Sequence, residues 1–207
     1  MTATADLLGD GVTPGVPGAL SDRGILAAYE SGELGIDPFD ADLVRPAALG
    51  LRLGSTAAVL VPPDGPIDLA VAASHPRLVP REPDEHGRLR LDPGEIMLAP
   101  TLERISLSPG LTGLMGGTSS CARLGVSVAL SHHVSPGYGH DHPGGAILTF
   151  EIECRLACTV FLRPGTRIGN LMLFRCSPAL RPYWQMPANY SRDVTIRASR
   201  LAEHHVC

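Results

Sequence analysis

Two short features of the sequence combine residue types that could carry out hydrolytic chemistry. Residues 117–125 read Gly-Thr-Ser-Ser-Cys-Ala-Arg-Leu-Gly, a run of small residues followed by one fixed positive charge, Arg123. A turn of this kind would expose backbone N–H groups and the hydroxyls of Ser119 and Ser120, which together can hold an anion. Glu151 follows in an otherwise apolar, strand-like segment, where the local pattern predicts a hydrophobic residue. An anion-holding turn facing a carboxylate that moves protons is what hydrolysis of a phosphorylated small molecule requires.

The bulk composition predicts one mainly β domain. A chain of 207 residues is long enough for one domain with short appendages, and its 44% hydrophobic content supplies a core. Its 23 glycines and 19 prolines favour many short strands and turns over long helices.

Charge and apolar patterning argue against nucleic-acid and membrane partners. The net charge is −4 and all 17 basic residues are arginines without a basic run, so no nucleic-acid-binding surface is expected. No apolar stretch reaches the roughly 18 residues of a membrane span. Residues 1–18 show no secretory signal, and the five cysteines lack a framework spacing. These features predict reduced thiols and a cytoplasmic protein.

The elements that must position the two features are a first helix and a series of short strands. The helix is predicted to start at Ser21 or Asp22 and to end before Gly32, with an apolar stripe formed by Ile25, Leu26 and Tyr29. Alternating or apolar segments separated by Pro-Gly turns predict strands at 48–53, 88–91, 95–99, 104–107, 126–130, 146–151, 159–162 and 170–174. This spacing indicates a β-sandwich or barrel.

Three segments follow from this pattern. Residues 1–19 are predicted to be a flexible N-terminal segment, 20–185 the β domain, and 186–207 a C-terminal tail that could close over the active site. Residues 62–88, rich in Pro, Asp and Glu, are predicted to be an irregular excursion from the domain.

Several motifs, in order, resemble the dCTP deaminase branch of the dCTP deaminase/trimeric dUTPase superfamily. They are residues 117–125, Ser-Pro-Gly-Tyr at 135–138, Glu151, and Leu-Arg-Pro-Gly-Thr-Arg-Ile-Gly at 162–169. Residues 20–25, 46–54, 180–183 and 198–200 also look like that family, so the resemblance covers about residues 20–201. The Ser-Ser-x-Ala-Arg-Leu-Gly and Arg-Pro-Gly-x-x-Ile-Gly elements are its most specific parts.

This resemblance implies a distorted jelly-roll-like β-barrel of the dUTPase-like β-clip type, assembled as a homotrimer with active sites between subunits. It also implies metal-free deamination of a cytosine ring, with Glu151, Ser119 and Arg123 as catalytic residues. Carried over position by position, the substrate-binding residues would be Thr118, Ser120, Ser131, His132, Ser135, Gly137, Tyr138, Asn189, Tyr190 and Asp193. The signature of the zinc deaminases is absent from the sequence.

The chemistry gives each catalytic residue a role. One carboxylate can activate water and deliver protons to the ring and to leaving ammonia, and burial between Phe150 and Ile152 would raise the pKa of Glu151 to suit it. Ser119 could hold the water and Arg123 could stabilise developing negative charge. The alternatives are a buried structural carboxylate paired with an arginine for Glu151, a tight turn for the serines, and an interface salt bridge for Arg123.

Departures from the family pattern affect the substrate contacts. Thr118 and Asn189 stand where the family usually has Arg and Lys, and Asp193 replaces a Gln. Each lost charged contact is worth about 1.5–3 kcal/mol, so triphosphate binding is expected to weaken by about two orders of magnitude or more. Ser135 replaces an Asp that holds the sugar hydroxyl, and residues 131–133, Ser-His-His, replace a Thr-Ala segment at the base.

The loop that follows is rich in histidine. The metal-ligand types His132, His133, His140, Asp141 and His142 could form a metal site, could be solvated, or could replace a lost phosphate or base contact.

The sequence therefore predicts metal-independent deamination of a cytosine nucleotide, which could carry fewer phosphates or a modification. The alternatives are dUTPase-like pyrophosphate hydrolysis, in which Mg²⁺ would accompany the phosphates, and a non-catalytic nucleotide-binding trimer.

Overall fold

Antiparallel strands, most of them short, are the main regular secondary structure of the chain. The computed structural model describes residues 18–187 and 190–205. Within these ranges the strands are β1 (Gly18–Ala19), β2 (Leu34–Asp37), β3 (Val44–Arg45), β4 (Ala48–Arg52), β5 (Ala58–Val61), β6 (Arg77–Pro80), β7 (Leu89–Leu91), β8 (Ile96–Leu107), β9 (Leu111–Gly117), β10 (Val126–Ser127), β11 (His133–Val134), β12 (Ala146–Cys154), β13 (Val160–Leu162) and β14 (Arg167–Arg175). The helices are α1 (Asp22–Glu30) and α2 (Ser119–Arg123), with a few 3₁₀ turns.

The strands form two six-stranded sheets and one pair. The first sheet has the order β11-β9-β14-β4-β3 with β1 against the end of β14, and the second has the order β10-β12-β8-β5-β6 with β2 against β8. Strands β13 and β7 make the pair. The mainly β class is confirmed.

Within the described residues, the two large sheets of this distorted barrel are not closed into one continuous ladder. In the same part of the chain, an isolated antiparallel bridge between Leu53 and Thr101 connects the two large sheets. The reason is the length of the outer strands: β3, β10 and β11 have two residues each and β6 has four. Such short edges end before their ladders can continue into the other sheet.

The N-terminal helix α1 forms where the sequence predicts it. Ser21 has the extended backbone of an N-cap, and Ile25, Leu26 and Ala28 are buried against the first sheet and its neighbours. Gly32 follows the C-cap with φ of 77°, a conformation that favours glycine. Just before α1, Gly18 and Ala19 pair with β14, whereas residues 1–17 lie outside the described ranges.

The second sheet is centred on the long pair β8 and β12. The sequence predicts two strands, at 95–99 and 104–107, but β8 runs continuously through Pro100. Its partner β12 shifts register between Ile147 and Thr149, beside that proline, and such an irregularity tolerates a residue that lacks an N–H donor. This pair carries Glu151 opposite Leu98.

The core side of β12 is tightly packed against β14. Phe150 and Ile152 are fully buried, and the ring of Phe150 lies over Gly169. A Cβ atom at Gly169 would lie 2.5 Å from Cε1 of Phe150, so the last glycine of the Arg-Pro-Gly-x-x-Ile-Gly motif provides space for this ring.

Among the described residues, no helix has both the length and the apolar character needed to cross a membrane.

Candidate active site

Glu151 points away from the core because it alternates with Phe150 and Ile152 along β12. Its Oε2 accepts hydrogen bonds from the backbone N–H groups of Leu130 at 3.1 Å and Ser131 at 2.6 Å. Its Oε1 accepts none from the part of the chain that the structure describes. One oxygen is therefore fixed, and the other is available to a ligand or water.

The expected burial of Glu151 between its two neighbours is not observed. Successive side chains on a strand face opposite sides, so Phe150 and Ile152 enter the core while Glu151 is only half-buried. The alternative of a buried carboxylate paired with an arginine occurs instead at Glu103, which is fully buried and accepts from Nε of Arg52 at 2.6 Å. Glu151 forms no ion pair within the described ranges.

Glu151 lies in a cavity of about 740 Å³, here named the Glu151 cavity. Leu98 and Leu130 line it beside the carboxylate. Five further residues that the sequence assigns to substrate binding also line this cavity: Ser131, Ser135, Tyr138, Tyr190 and Asp193. The sequence and the structure therefore converge on one concave site with a carboxylate and several hydroxyl groups.

The other part of the predicted catalytic set is not brought to this cavity within one chain. Ser119 and Arg123 belong to the five-residue helix α2, together with Ser120, and all three are exposed on the surface. None of them lines the Glu151 cavity.

Thr118 caps the helix α2. Its side chain is buried, and its Oγ1 accepts from the N–H of Cys121 at 3.2 Å, which makes it the N-cap of α2. An arginine at this position would lose the cap and would have to leave a buried site. Substrate contact by Thr118 stays a prediction.

Two other predicted binding residues, His132 and Gly137, do not line the cavity, and a third cannot be placed. His132 lines a separate hollow of about 590 Å³ and donates from Nδ1 to the carbonyl of Met115 at 2.7 Å. Gly137 is buried with φ of 85°, and a Cβ there would lie 2.5 Å from the ring of Trp184, so this position allows the ring to pack closely. Asn189 lies outside the described residues.

The described part of the C-terminal tail from Tyr190 onward lies against the Glu151 cavity. The N–H of Ile147 in β12 donates to the carbonyl of Asp193, and the N–H of Arg200 donates to the hydroxyl of Tyr190 at 2.9 Å. At the base of the loop that precedes β12, Asp141 accepts from Nε of Arg192 at 2.6 Å. These contacts make the tail one wall of the site.

Asp193 is engaged inside this wall. Burial raises the pKa of its carboxyl, and the guanidinium groups of Arg200 and Arg197, at 3.1 Å and 4.0 Å, oppose that rise. Its charge is therefore compensated by neighbouring arginines, which corrects the expectation that Asp193 simply adds a negative charge against phosphate.

Tyr138 forms the floor of the cavity beside the tail. Its hydroxyl donates to the carbonyl of Ile147, and its ring stacks on Tyr183 with centroids 5.7 Å apart. Burial raises the pKa of Tyr138 above that of a free phenol, so it remains a donor and is not a base at neutral pH.

The histidine-rich segment is dispersed. His133 lies at the cavity, His140 stacks on Trp184, and His142 donates from Nδ1 to the carbonyl of Gly145. Among residues 18–187 and 190–203, no group of three or more His, Cys, Asp or Glu side chains is close enough to hold a metal ion.

Sequence reasoning missed one wall of the cavity. Ile67, Leu69, His75 and Pro76, from the excursion at 62–88, line the site, and so does Arg197 from the tail. A signal was present, because Ile67 and Leu69 are apolar residues inside a Pro- and Asp-rich segment.

Comparison with known proteins identifies the family. A model of the dCTP deaminase-like family matches residues 19–176. A protein of Acidothermus cellulolyticus named "dCTP deaminase, dUMP-forming" is 40% identical over 172 residues, covering 79% of this chain and 84% of that relative. A protein of the same name from Mycolicibacterium gilvum is 35% identical over 175 residues, again covering 79% and 84%. The chain belongs to the dCTP deaminase-like family.

A solved structure supports the fold. The crystal structure of 2′-deoxycytidine 5′-triphosphate deaminase from Agrobacterium tumefaciens superposes with a TM-score of 0.56 at 23% identity. The match covers 77% of this chain and 49% of that one, so this chain spans about half its length.

Proposed function

We propose that this protein hydrolyses the exocyclic amino group of a cytosine nucleotide, giving the uracil nucleotide and ammonia. The observation that carries the proposal is the carboxylate of Glu151, held through one oxygen by two backbone N–H groups and open to the cavity through the other. The names of the curated relatives, which are dCTP deaminases, support the same reaction.

The proposed steps use this carboxylate as a proton shuttle. Glu151 takes a proton from water as the oxygen attacks C4, and passes it to N3 of the ring. It then moves the second proton of the attacking oxygen to the amino nitrogen, the C4–N bond breaks, and ammonia leaves. The glutamate returns to its ionised form, so one water is consumed for each ammonia released.

We propose that Ser119 and Arg123 reach this reaction from a second copy of the chain. Both lie exposed on α2, outside the Glu151 cavity of their own chain, and the family resemblance implies a homotrimer with sites between subunits. In such a site Ser119 would hold the water and Arg123 would stabilise negative charge on the reacting ring. Light scattering should then give three times the chain mass of 21.8 kDa.

A second activity at the same site is pyrophosphate release. The printed name of the relatives is "dUMP-forming", and dUMP is reached from dCTP only when deamination is joined to loss of two phosphates. We propose that Mg²⁺, if used, enters on the phosphate oxygens of the nucleotide, while the deamination step itself needs no metal.

The test is a product analysis. Deoxycytidine, dCMP, dCTP, CMP and CTP are each incubated with the protein, and ammonia, uracil nucleotides and pyrophosphate are measured separately. Ammonia from one of these nucleotides, retained in the presence of a zinc chelator, is the expected result. Nucleotide binding without ammonia or pyrophosphate would instead favour the non-catalytic trimer.

A further inference from the structure

The Glu151 cavity contains one arginine that the proposed reaction does not use. Of the described residues that line it, three carry a formal charge at neutral pH: Glu151, Asp193 and Arg197. Glu151 is assigned to proton transfer, and Asp193 is paired with Arg200. Arg197 is left as the positive charge that faces the cavity.

Arg197 is oriented but not fully engaged. Its Nε lies 4.0 Å from Oδ1 of Asp193, and within the described ranges its side chain donates no hydrogen bond. About 57% of the side chain is exposed. Because Asp193 already receives a hydrogen bond from Arg200 at 3.1 Å, the terminal nitrogens of Arg197 remain free to bind an anion with the geometry of a fork.

The histidines of the cavity are poor substitutes for this charge. Nε2 of His75 lies 3.1 Å from the carbonyl of Leu69, which can only accept, so Nε2 carries the hydrogen. The hydroxyl of Thr112 donates to the carbonyl of Val134, so Nε2 of His133 must donate to that hydroxyl. In their neutral forms both rings are left with an Nδ1 lone pair, which would repel a phosphate oxygen.

The segment of the tail that carries Arg197 is anchored away from the reacting carboxylate. The carbonyl of Asp193 accepts a hydrogen bond from the N–H of Ile147, four residues before Glu151 on β12. At the rise of a strand, this anchor lies about 13 Å along β12 from Glu151. The cavity therefore contains both a proton-transfer group and a positive charge, which fits a ligand that has a base and an anionic group.

We infer that Arg197 is the phosphate-binding residue of the Glu151 cavity and that Asp193 is its positioning residue. The inference rests on the proposed function for the identity of the substrate, but the anion site itself does not depend on catalysis. Arg197 thereby supplies from the tail a positive charge that compensates for the absence of Arg at 118 and Lys at 189.

The test compares Arg197→Gln with Arg192→Gln by calorimetry. Arg192 is a comparably exposed arginine of the same tail that binds Asp141 and does not line the cavity. The probes are inorganic tripolyphosphate, dCMP and deoxycytidine. An Arg–phosphate contact of the usual strength predicts that Arg197→Gln binds tripolyphosphate and dCMP about 10- to 100-fold more weakly. Deoxycytidine should bind equally to wild type and both variants, and Arg197→Lys should recover part of the loss.

Three outcomes would overturn the inference: equal losses in the two arginine variants, an unchanged affinity in Arg197→Gln, or wild-type protein that binds dCMP no better than deoxycytidine. Ammonia release is measured on the same preparations. A protein that loses tripolyphosphate affinity at Arg197→Gln but never releases ammonia would contradict the proposed function and leave the anion site standing.

Discussion

The backbone N–H of Ser131 donates to Oε2 of Glu151 over 2.6 Å, and this bond joins the segment after β10 to the middle of β12. Strand β10 pairs with the end of β12 at Cys154, so the chain that follows it runs alongside β12 towards Glu151. The carboxylate is thereby held by backbone groups, and no residue that the structure describes forms an ion pair with it. Such an arrangement suits a group that must gain and lose protons, because backbone N–H groups favour the ionised carboxylate less strongly than a permanent cation would.

Glu151→Gln should abolish deamination while preserving the fold. The amide oxygen of Gln can still accept from Leu130 and Ser131, but it cannot take a proton from water. We expect kcat to fall by at least about 10³-fold, with melting temperature and nucleotide affinity nearly unchanged.

The comparison for this variant is Ser119→Ala, which should misplace the water and reduce kcat by a smaller factor. If Glu151→Gln stays active as a folded protein, Glu151 has no part in the mechanism. If it loses stability and activity in proportion, the carboxylate is structural.

Two inactive variants should complement each other if the site lies between subunits. Arg123→Gln and Glu151→Gln are each purified, mixed, unfolded together and refolded. In random trimers about a quarter of the sites would combine Glu151 of one chain with Arg123 of its neighbour, so activity should return towards a quarter of wild type. A mixture that remains as inactive as its components would contradict a site shared between subunits.

Gly169→Ala should destabilise the protein by about 1–3 kcal/mol, because the new methyl group would overpack the core against the ring of Phe150. Gly116→Ala is the matched control in the adjacent strand, since a Cβ there meets nothing within 4 Å. Urea unfolding at equal protein concentration measures both. Equal midpoints for the two variants would show that the contact with Phe150 relaxes without cost.

The ion pair between Glu33 and Arg175 should make the free energy of unfolding decrease as the pH becomes acidic. The hydrogen bond from Arg175 holds the pKa of Glu33 below its ordinary value of 4.5. A lowered pKa stabilises the folded state above pH 4.5, and this contribution is lost as the pH falls through the folded-state value. At neutral pH the coupling in a double-mutant cycle of Glu33→Gln and Arg175→Gln should be about 0.2–1 kcal/mol, since the pair is partly exposed. A coupling that does not weaken as the pH is lowered through the acid range to the point of acid unfolding would exclude an electrostatic origin.

The sequence was sufficient for the elements with strong local signals. Helix α1, the strand at 48–52 and the strand around Glu151 follow from capping residues and from the side-chain period of helix or strand. Local patterns failed at Pro100, where a proline interrupts a predicted strand but the bulge in β12 accommodates it. They also failed at β9, which the sequence did not predict as a strand. Its glycine-rich end has the composition of a turn, but in the structure it pairs with β14.

By itself the sequence determined which residue types are present for chemistry: a carboxylate in an apolar strand, a small-residue segment with an arginine, and a tail poor in the expected cations. Only the tertiary structure decided which of these meet. The direction of the Glu151 side chain, the arrival of Ile67 and His75 from a distant excursion, and the placement of Arg197 at the cavity all depend on contacts between residues far apart in the chain. Such contacts are set by how sheets pack and how strands end, and no local pattern encodes them.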